Sequence, residues 1–273
     1  MTLPLLTTLR LELADGVLDV CLNRPEKSNA LDDALWHELR SAFDWADTEP
    51  AVRAIVLSGE GRHFCAGIDL DMLGGLLQRI ADADEARRRE KLRRLILDLQ
   101  DCLTSLERCR KPVLAAIHGA CLGGGVDLVA CCDMRYVSAE AHFAVREIDL
   151  GIVADVGTLQ RLPRLIPEGL ARELAYTGRT LGADEAVRCG LANTVHPDRD
   201  ALLTAVRVLA RQIATKSPLA VRGTKEMLNY SRDHSVADGL DQVATWNAAM
   251  LLSADLDEAL AAAGERRTPR FAD

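Results

Sequence analysis

The chain has 273 residues, 48% of them hydrophobic and 27% charged, with a formal net charge of −8 at pH 7. That size and apolar content exclude a disordered chain and fit one large α/β domain or a domain with a helical extension. The acidic balance argues against a nucleic-acid surface, where a basic face is expected; no run nears the roughly 18 apolar residues of a membrane span.

Met1 to Arg10 lacks the basic start and apolar stretch of a signal peptide. The eight cysteines form no C-x-x-C pair, so they read as buried reduced thiols of an intracellular protein. Leu9, Leu11 and Leu13 alternate with Arg10 and Glu12, Asp15-Gly16 supplies a turn, and Leu18, Val20 and Leu22 alternate again, which predicts a hairpin. The loop N-R-P-E-K-S-N-A-L over 23–31 leads into a helix from about Asp32 to Ala46, and Arg53 to Ser58 is a short buried strand. In H-F-C-A-G-I-D-L, residues 63–70, Gly67 stands where a strand would break into a helix. Residues 81–91 form a solvated helical rim, after which Leu92, Leu95, Ile96, Leu99, Leu103 and Leu106 keep helical spacing.

Val113 to Ile117 is an apolar strand that passes through the triple glycine Gly123, Gly124 and Gly125 into a helix. Without Cβ atoms, those glycines expose main-chain N–H groups at the positive end of a helix, where an oxyanion is favoured. Beyond a strand at Leu191 to Val195, helices are expected over 199–215, 217–230, 236–252 and 254–265. Ser217-Pro218 and Ser235 with Asp238 read as helix starts.

Three acids follow the triple glycine: Asp127, Glu147 and Asp155. Each has an ordinary explanation. Asp127 could answer a helix dipole, Glu147 could be a surface acid at a strand end, and Asp155 could cap the segment at Val156. However, Val145, Ile148, Leu150, Ile152 and Val153 surround the last two, and buried acids need a reason. His118 and His142 have no partner at metal or triad spacing, so they read as packed or surface histidines. Arg24, Lys27 and Arg62 are either solvated or in contact with phosphate. Dinucleotide, P-loop and serine-hydrolase motifs are absent.

H-F-C-A-G-I-D-L together with I-H-G-A-C-L-G-G-G-V-D-L resembles the two signature segments of the crotonase (enoyl-CoA hydratase/isomerase) superfamily. R-E-I-D-L-G-I-V-A-D-V-G-T-L-Q-R-L-P-R and K-S-P-L-A-V-R-G-T-K-E-M-L-N-Y-S-R-D-H-S-V resemble its dienoyl-CoA isomerase branch. The resemblance implies an α/β fold: a spiral core of ββα turns over 1–198 and a helical carboxyl-terminal region over 199–273 that makes trimers, often paired into hexamers. It implies an acyl-CoA thioester as the ligand, no separate cofactor and no metal, with no nucleic-acid or membrane partner. By position, the N–H groups of Ile68 and Gly124 would form an oxyanion hole. Ala66, Gly67, Ile68, Asp69 and Leu70 would line the thioester and adenine, with Arg24 and Lys27 nearby. Glu147 would serve as base at C2 and Asp155 as acid at C6, with Asp127 tuning the pair. A 2-enoyl-CoA hydratase and a non-catalytic acyl-CoA-binding protein are the alternatives. The ending P-R-F-A-D and the lack of an Arg-rich leader give the expectation of a cytoplasmic enzyme.

Overall fold

The computed structural model describes residues 3–273. Met1 and Thr2, where the stretch without a signal peptide begins, lie outside the described residues. Strands β1 (Leu9–Ala14) and β2 (Val17–Leu22) form an antiparallel hairpin in register from Leu9 opposite Leu22 to Ala14 opposite Val17. Its turn puts Asp15 and Gly16 at positive φ, the backbone that a two-residue Asp-Gly hairpin requires. Asp32 caps helix α1 (Asp33–Thr48) by accepting the Leu35 N–H, and β3 (Ala54–Gly59) then lies parallel to β2.

Two short helices follow, α2 (Leu70–Gly74) and α3 (Leu76–Arg79), before the long α4 (Glu85–Arg108), capped by Asp84. The charged rim is therefore the opening of α4, not a separate element. β4 (Val113–Ile117) adds to β3, and only His118 and Gly119 separate it from β5 (Ala120–Leu122), a strand that the apolar run had hidden. Then come α5 (Gly124–Ala130), β6 (Met134–Ser138), β7 (His142–Ala144), α6 (Thr158–Leu165), α7 (Glu168–Thr177), β8 (Leu181–Gly182), α8 (Ala183–Arg188) and β9 (Thr194–His196). The chain finishes with α9 (Arg199–Ala214), α10 (Pro218–Asp233), α11 (Val236–Met250) and α12 (Ala254–Glu265).

The main sheet runs β1-β2-β3-β4-β6-β9, parallel from β2 onward, and a small sheet runs β5-β7-β8. Strands buried on both faces are apolar at successive positions, which is why β3 and β4 read as continuous runs. Ile55, Leu57, Val113, Ala115 and Ile117 face α1 and α4, where Trp36, Leu39, Phe43, Leu103 and Leu106 are buried. Ala54, Val56, Leu114 and Ala116 face α9 through Leu202, Val206 and Ala210. Burying Leu202 and Val206 contributes about 2 kcal/mol each, so α9 belongs to the sheet's cover. Ser217 caps α10, and Ser235 with Asp238 forms a reciprocal capping box at α11. The eight cysteines are free thiols, seven of them buried. Among the described residues no helix is long and apolar enough to cross a membrane.

Candidate active site

Two backbone segments meet where the main sheet hands over to the small one. Cys65 bridges Cys121, with Cys65 N–H donating to Ala120 O at 3.0 Å and Leu122 N–H to Cys65 O at 2.9 Å. On its other side, the 65–69 segment is held by Leu31, whose N–H donates to Gly67 O at 2.8 Å and whose carbonyl accepts the Asp69 N–H at 3.0 Å. Gly67 has φ +93°, and a Cβ there would lie 2.9 Å from Leu122 O. Only glycine combines that backbone with so close an approach.

These pairings use some of the neighbouring N–H groups. The Ala66 N–H donates to Ser28 O, and the Gly123 N–H to Ala144 O. Among the described residues, the N–H groups of Ile68 and Gly124 have no acceptor. They lie side by side: ideal Cβ positions built on Gly67 and Gly124 fall 3.5 Å from Gly124 N and 3.7 Å from Ile68 N. Both residues line a cleft of about 620 Å³, together with Lys27, Ala66, Gly67, Asp69, Leu70, Gly123, Glu147 and Ile152. Adjacent unpaired donors in such a cleft can stabilise an oxyanion.

Glu147 opens a single 3₁₀ turn, Glu147–Leu150, directly over Gly123. A Cβ on Gly123 would lie 3.2 Å from Glu147 Oε1, so glycine at 123, with φ +48°, makes room for the carboxylate. Burial raises the Glu147 pKa, and the Asp155 charge raises it further.

Asp127 and Asp155 do not line the cleft itself. Asp127 is fully buried on α5, where Oδ1 accepts the Thr158 N–H at 2.5 Å and Oδ2 has no partner. Burial pushes its pKa up to about 7; the bond from the Thr158 N–H opposes that rise, and Glu147 and Asp155 add to it. Asp155 is exposed as a residue, yet partial burial of its carboxyl raises its pKa. It does not cap a helix, because Gly157 is the N-cap of α6 and no other described residue donates to the Asp155 carboxyl. Burial thus raises all three acids, and the charge of Asp155 adds to the rise at both Glu147 and Asp127.

Two of the anticipated contacts are different. Arg24 does not face the cleft: its guanidinium pairs with Asp32 and Asp69, both at 3.1 Å, and donates to Ala30 O. The buried Asp69 side chain caps α2 through the Asp71 N–H, so Asp69 lines the cleft while its carboxylate braces the floor. Arg24 has the buried Asp69 within reach, a partner that a solvated surface would not supply. Lys27 is at the mouth, paired with Asp71 at 3.3 Å, and Leu70 is an exposed rim residue. His118 is buried on Gly61 O, and His142 bonds Glu140 O.

Sequence reasoning missed Asn29 and Thr158. Asn29 is fully buried, adopts φ +56°, donates to Glu60 O and His63 O, and accepts the Arg24 N–H. Its place in the loop 23–31 was the available signal, since asparagine tolerates positive φ. Away from the cleft, His37, Asp98 and Cys102 could hold a metal by proximity, but His37 and Arg40 already occupy both oxygens of Asp98.

The family model for enoyl-CoA hydratase/isomerase matches residues 12–273. The chain is 48% identical to the Δ(3,5)-Δ(2,4)-dienoyl-CoA isomerase, peroxisomal, of Arabidopsis thaliana, over 98% of this chain and 96% of that one. It is 50% identical to the mitochondrial protein of that name from Mus musculus, over 92% of this chain and 77% of the other. The 1.8 Å crystal structure of an enoyl-CoA hydratase from Bacillus anthracis superposes with a TM-score of 0.88 at 33% identity, covering 97% and 99% of the two chains. These relatives overturn the expectation of a cytoplasmic enzyme, because those named dienoyl-CoA isomerases are peroxisomal or mitochondrial. Targeting signals are short receptor-read segments, so the folded body carries no address to read. With the α/β fold, the paired N–H groups and a match over nearly its whole length, the chain belongs to the enoyl-CoA hydratase/isomerase, or crotonase, family.

Proposed function

We propose that the protein is a Δ3,5-Δ2,4-dienoyl-CoA isomerase acting in the degradation of unsaturated fatty acids. The observation that carries this reading is Asp155: among the described residues it caps nothing and receives no donor from another residue, and its charge raises the Glu147 pKa. A hydratase that holds its water between Asp127 and Glu147 gives Asp155 no task.

A 3,5-dienoyl thioester bound with its carbonyl oxygen on the Ile68 and Gly124 N–H groups presents C2 to Glu147. Removal of a C2 proton moves electrons through the diene and onto the thioester oxygen. Each N–H aimed at that oxygen stabilises it by about 2.7 to 4 kcal/mol in a dry, preorganised site. Asp155 then delivers a proton to C6, giving the 2,4-dienoyl product and leaving Glu147 protonated and Asp155 ionised. Proton exchange with solvent restores both. Turnover near neutrality requires Glu147 ionised while Asp155 holds its proton; burial of the Asp155 carboxyl favours its protonated form.

In this reading, coenzyme A is part of the substrate, with Lys27 at the cleft mouth suited to its phosphates. The apolar groove between α10 and α11, where Leu228, Val236 and Leu240 are exposed, supports association of copies into a trimer or a dimer of trimers.

Purified protein offered a 3,5-dienoyl-CoA should produce the absorbance of a 2,4-dienoyl thioester, and offered a 2-enoyl-CoA should leave its conjugation largely intact. Rapid loss of conjugation from the enoyl substrate, with no reaction of the dienoyl one, would make the protein a hydratase.

A further inference from the structure

We propose that Gln100 is a positioning residue for the C6 acid: from behind the cleft, its side-chain amide holds the main-chain carbonyl of Asp155 and so sets where the Asp155 carboxyl points. This rests on the role given to Asp155 above. Gln100 Nε2 donates to Asp155 O at 2.6 Å. Because no other described residue donates to the Asp155 carboxyl, its direction is inherited from the main chain that carries it.

That main chain is fastened at a few points only. At its far end, the Thr158 N–H is held by Asp127 Oδ1. In between, Gly157 adopts φ +135°, with the Arg161 guanidinium filling the space that a side chain at 157 would need. Arg161 is in turn held by Glu107 Oε2 at 2.7 Å and Thr104 Oγ1 at 3.3 Å. Gln100, Thr104 and Glu107 follow one another at four and three residues along α4, so they share one face of that helix. Leu99, Cys102 and Leu103 are buried on either side of Gln100 and fix the rotation of α4. One rigid helix thus fixes the height of the Asp155 loop at two points.

The loop also has somewhere to go. A cavity of about 400 Å³, lined by Gln100, Thr104, Val156, Gly157 and Arg161 among others, lies against the same segment. Without the Gln100 bond, Asp155 can retreat from the diene while Glu147, on its own 3₁₀ turn, stays in place.

Gln100→Met preserves the length of the side chain and removes the donor. The isomerisation kcat should fall by about ten- to a hundredfold, the usual effect of a displacement near 1 Å, with KM within about twofold of wild type. Exchange of the C2 proton with deuterated solvent, the task of Glu147, should stay within about twofold. A merely structural role would lower exchange and isomerisation together, so equal losses would overturn the inference. So would wild-type isomerisation in a folded Gln100→Met enzyme. Asp155→Asn, measured in parallel, separates the two levels. If it loses about 10² to 10⁴ in isomerisation while Gln100→Met loses nothing, only the role of Gln100 falls; if Asp155→Asn is itself silent, the C6 assignment falls and takes this inference with it.

Discussion

Asp127→Asn should make the protein more stable at alkaline pH while making it a poorer enzyme. In the fold, the Asp127 pKa is pushed up to about 7, burial being the largest cause; in an unfolded chain it returns to about 3.9. Below about pH 4 the group is protonated in both states and imposes no charge penalty. Between about 4 and 7 the folded state retains a proton that the unfolded state has released, so stability falls as pH rises. Above about 7 the penalty is complete. At 1.36 kcal/mol per pH unit, that interval corresponds to at most about 4 kcal/mol.

Asparagine removes the charge but not the anchor. Its carbonyl can accept the Thr158 N–H that Oδ1 accepts now, and its amide would occupy the site of Oδ2, which is buried without a partner beside the equally unpartnered Thr158 Oγ1. Urea unfolding from pH 5 to 9, at one protomer concentration because association contributes to stability, would give the wild-type and variant curves. Their difference should grow in favour of the variant up to about pH 7 and then level off, reaching about 2 kcal/mol or more by pH 8. Parallel curves, or a variant less stable than wild type at pH 8, would show that Asp127 is not a buried charge under strain. Isomerisation at neutral pH should fall meanwhile, since a carboxyl coupled to Glu147 and Asp155 is lost.

Gly67→Ala should cost about tenfold or more in kcat/KM with a folded protein, because a Cβ at φ +93° meets Leu122 O and displaces the Ile68 N–H; activity equal to wild type would separate Ile68 from the oxyanion. Gly124→Pro deletes the other donor at the first position of α5, where proline is tolerated. Turnover should drop by about 10² to 10³ while coenzyme A still raises the melting temperature, and near-full turnover would contradict the assignment. Light scattering at micromolar concentration should report an oligomer, with Leu240→Asp shifting it toward monomer; a monomeric wild type would mean that the α10–α11 groove is covered otherwise.

Much of this was legible because local chemistry and global fold agree. The Asp15-Gly16 hairpin, the caps at Ser217 and Ser235, and the helical spacing on α4 are set by neighbours in sequence. Elements decided by distant partners were not. β5 spans Ala120–Leu122 and becomes a strand by pairing with β7, more than twenty residues on, so a strand-turn-helix reading passes over it. Arg24 looks like a free cation until Asp69 is folded against it, and Thr158 looks like an ordinary helix start until its N–H is found on a carboxylate from α5. The acids themselves were visible, but not their differences in burial, and those differences decide their chemistry.

In the proposed reaction, which acid acts at which carbon follows from where the thioester oxygen would lie. That oxygen is on C1, one bond from C2, so the group that takes the C2 proton must sit beside the oxyanion donors. Glu147 does: its Oε1 hangs over Gly123, the residue before one donor, and it lines the same cleft as both. C6 is four bonds beyond C2 along an extended diene, so its acid must stand away from that pair yet close enough to share charge with it. Asp155 meets both conditions, lying outside the cleft lining while raising the Glu147 pKa. Asp127 meets neither, since its one bonded oxygen is committed to Thr158 and it is sealed from solvent. The charges of Glu147 and Asp155 act instead on Asp127, adding to the rise that burial imposes on it. In the proposed reaction the negative charge that Glu147 gives up on taking the C2 proton rests on the oxyanion hole while the dienolate exists and passes to Asp155 when C6 is protonated.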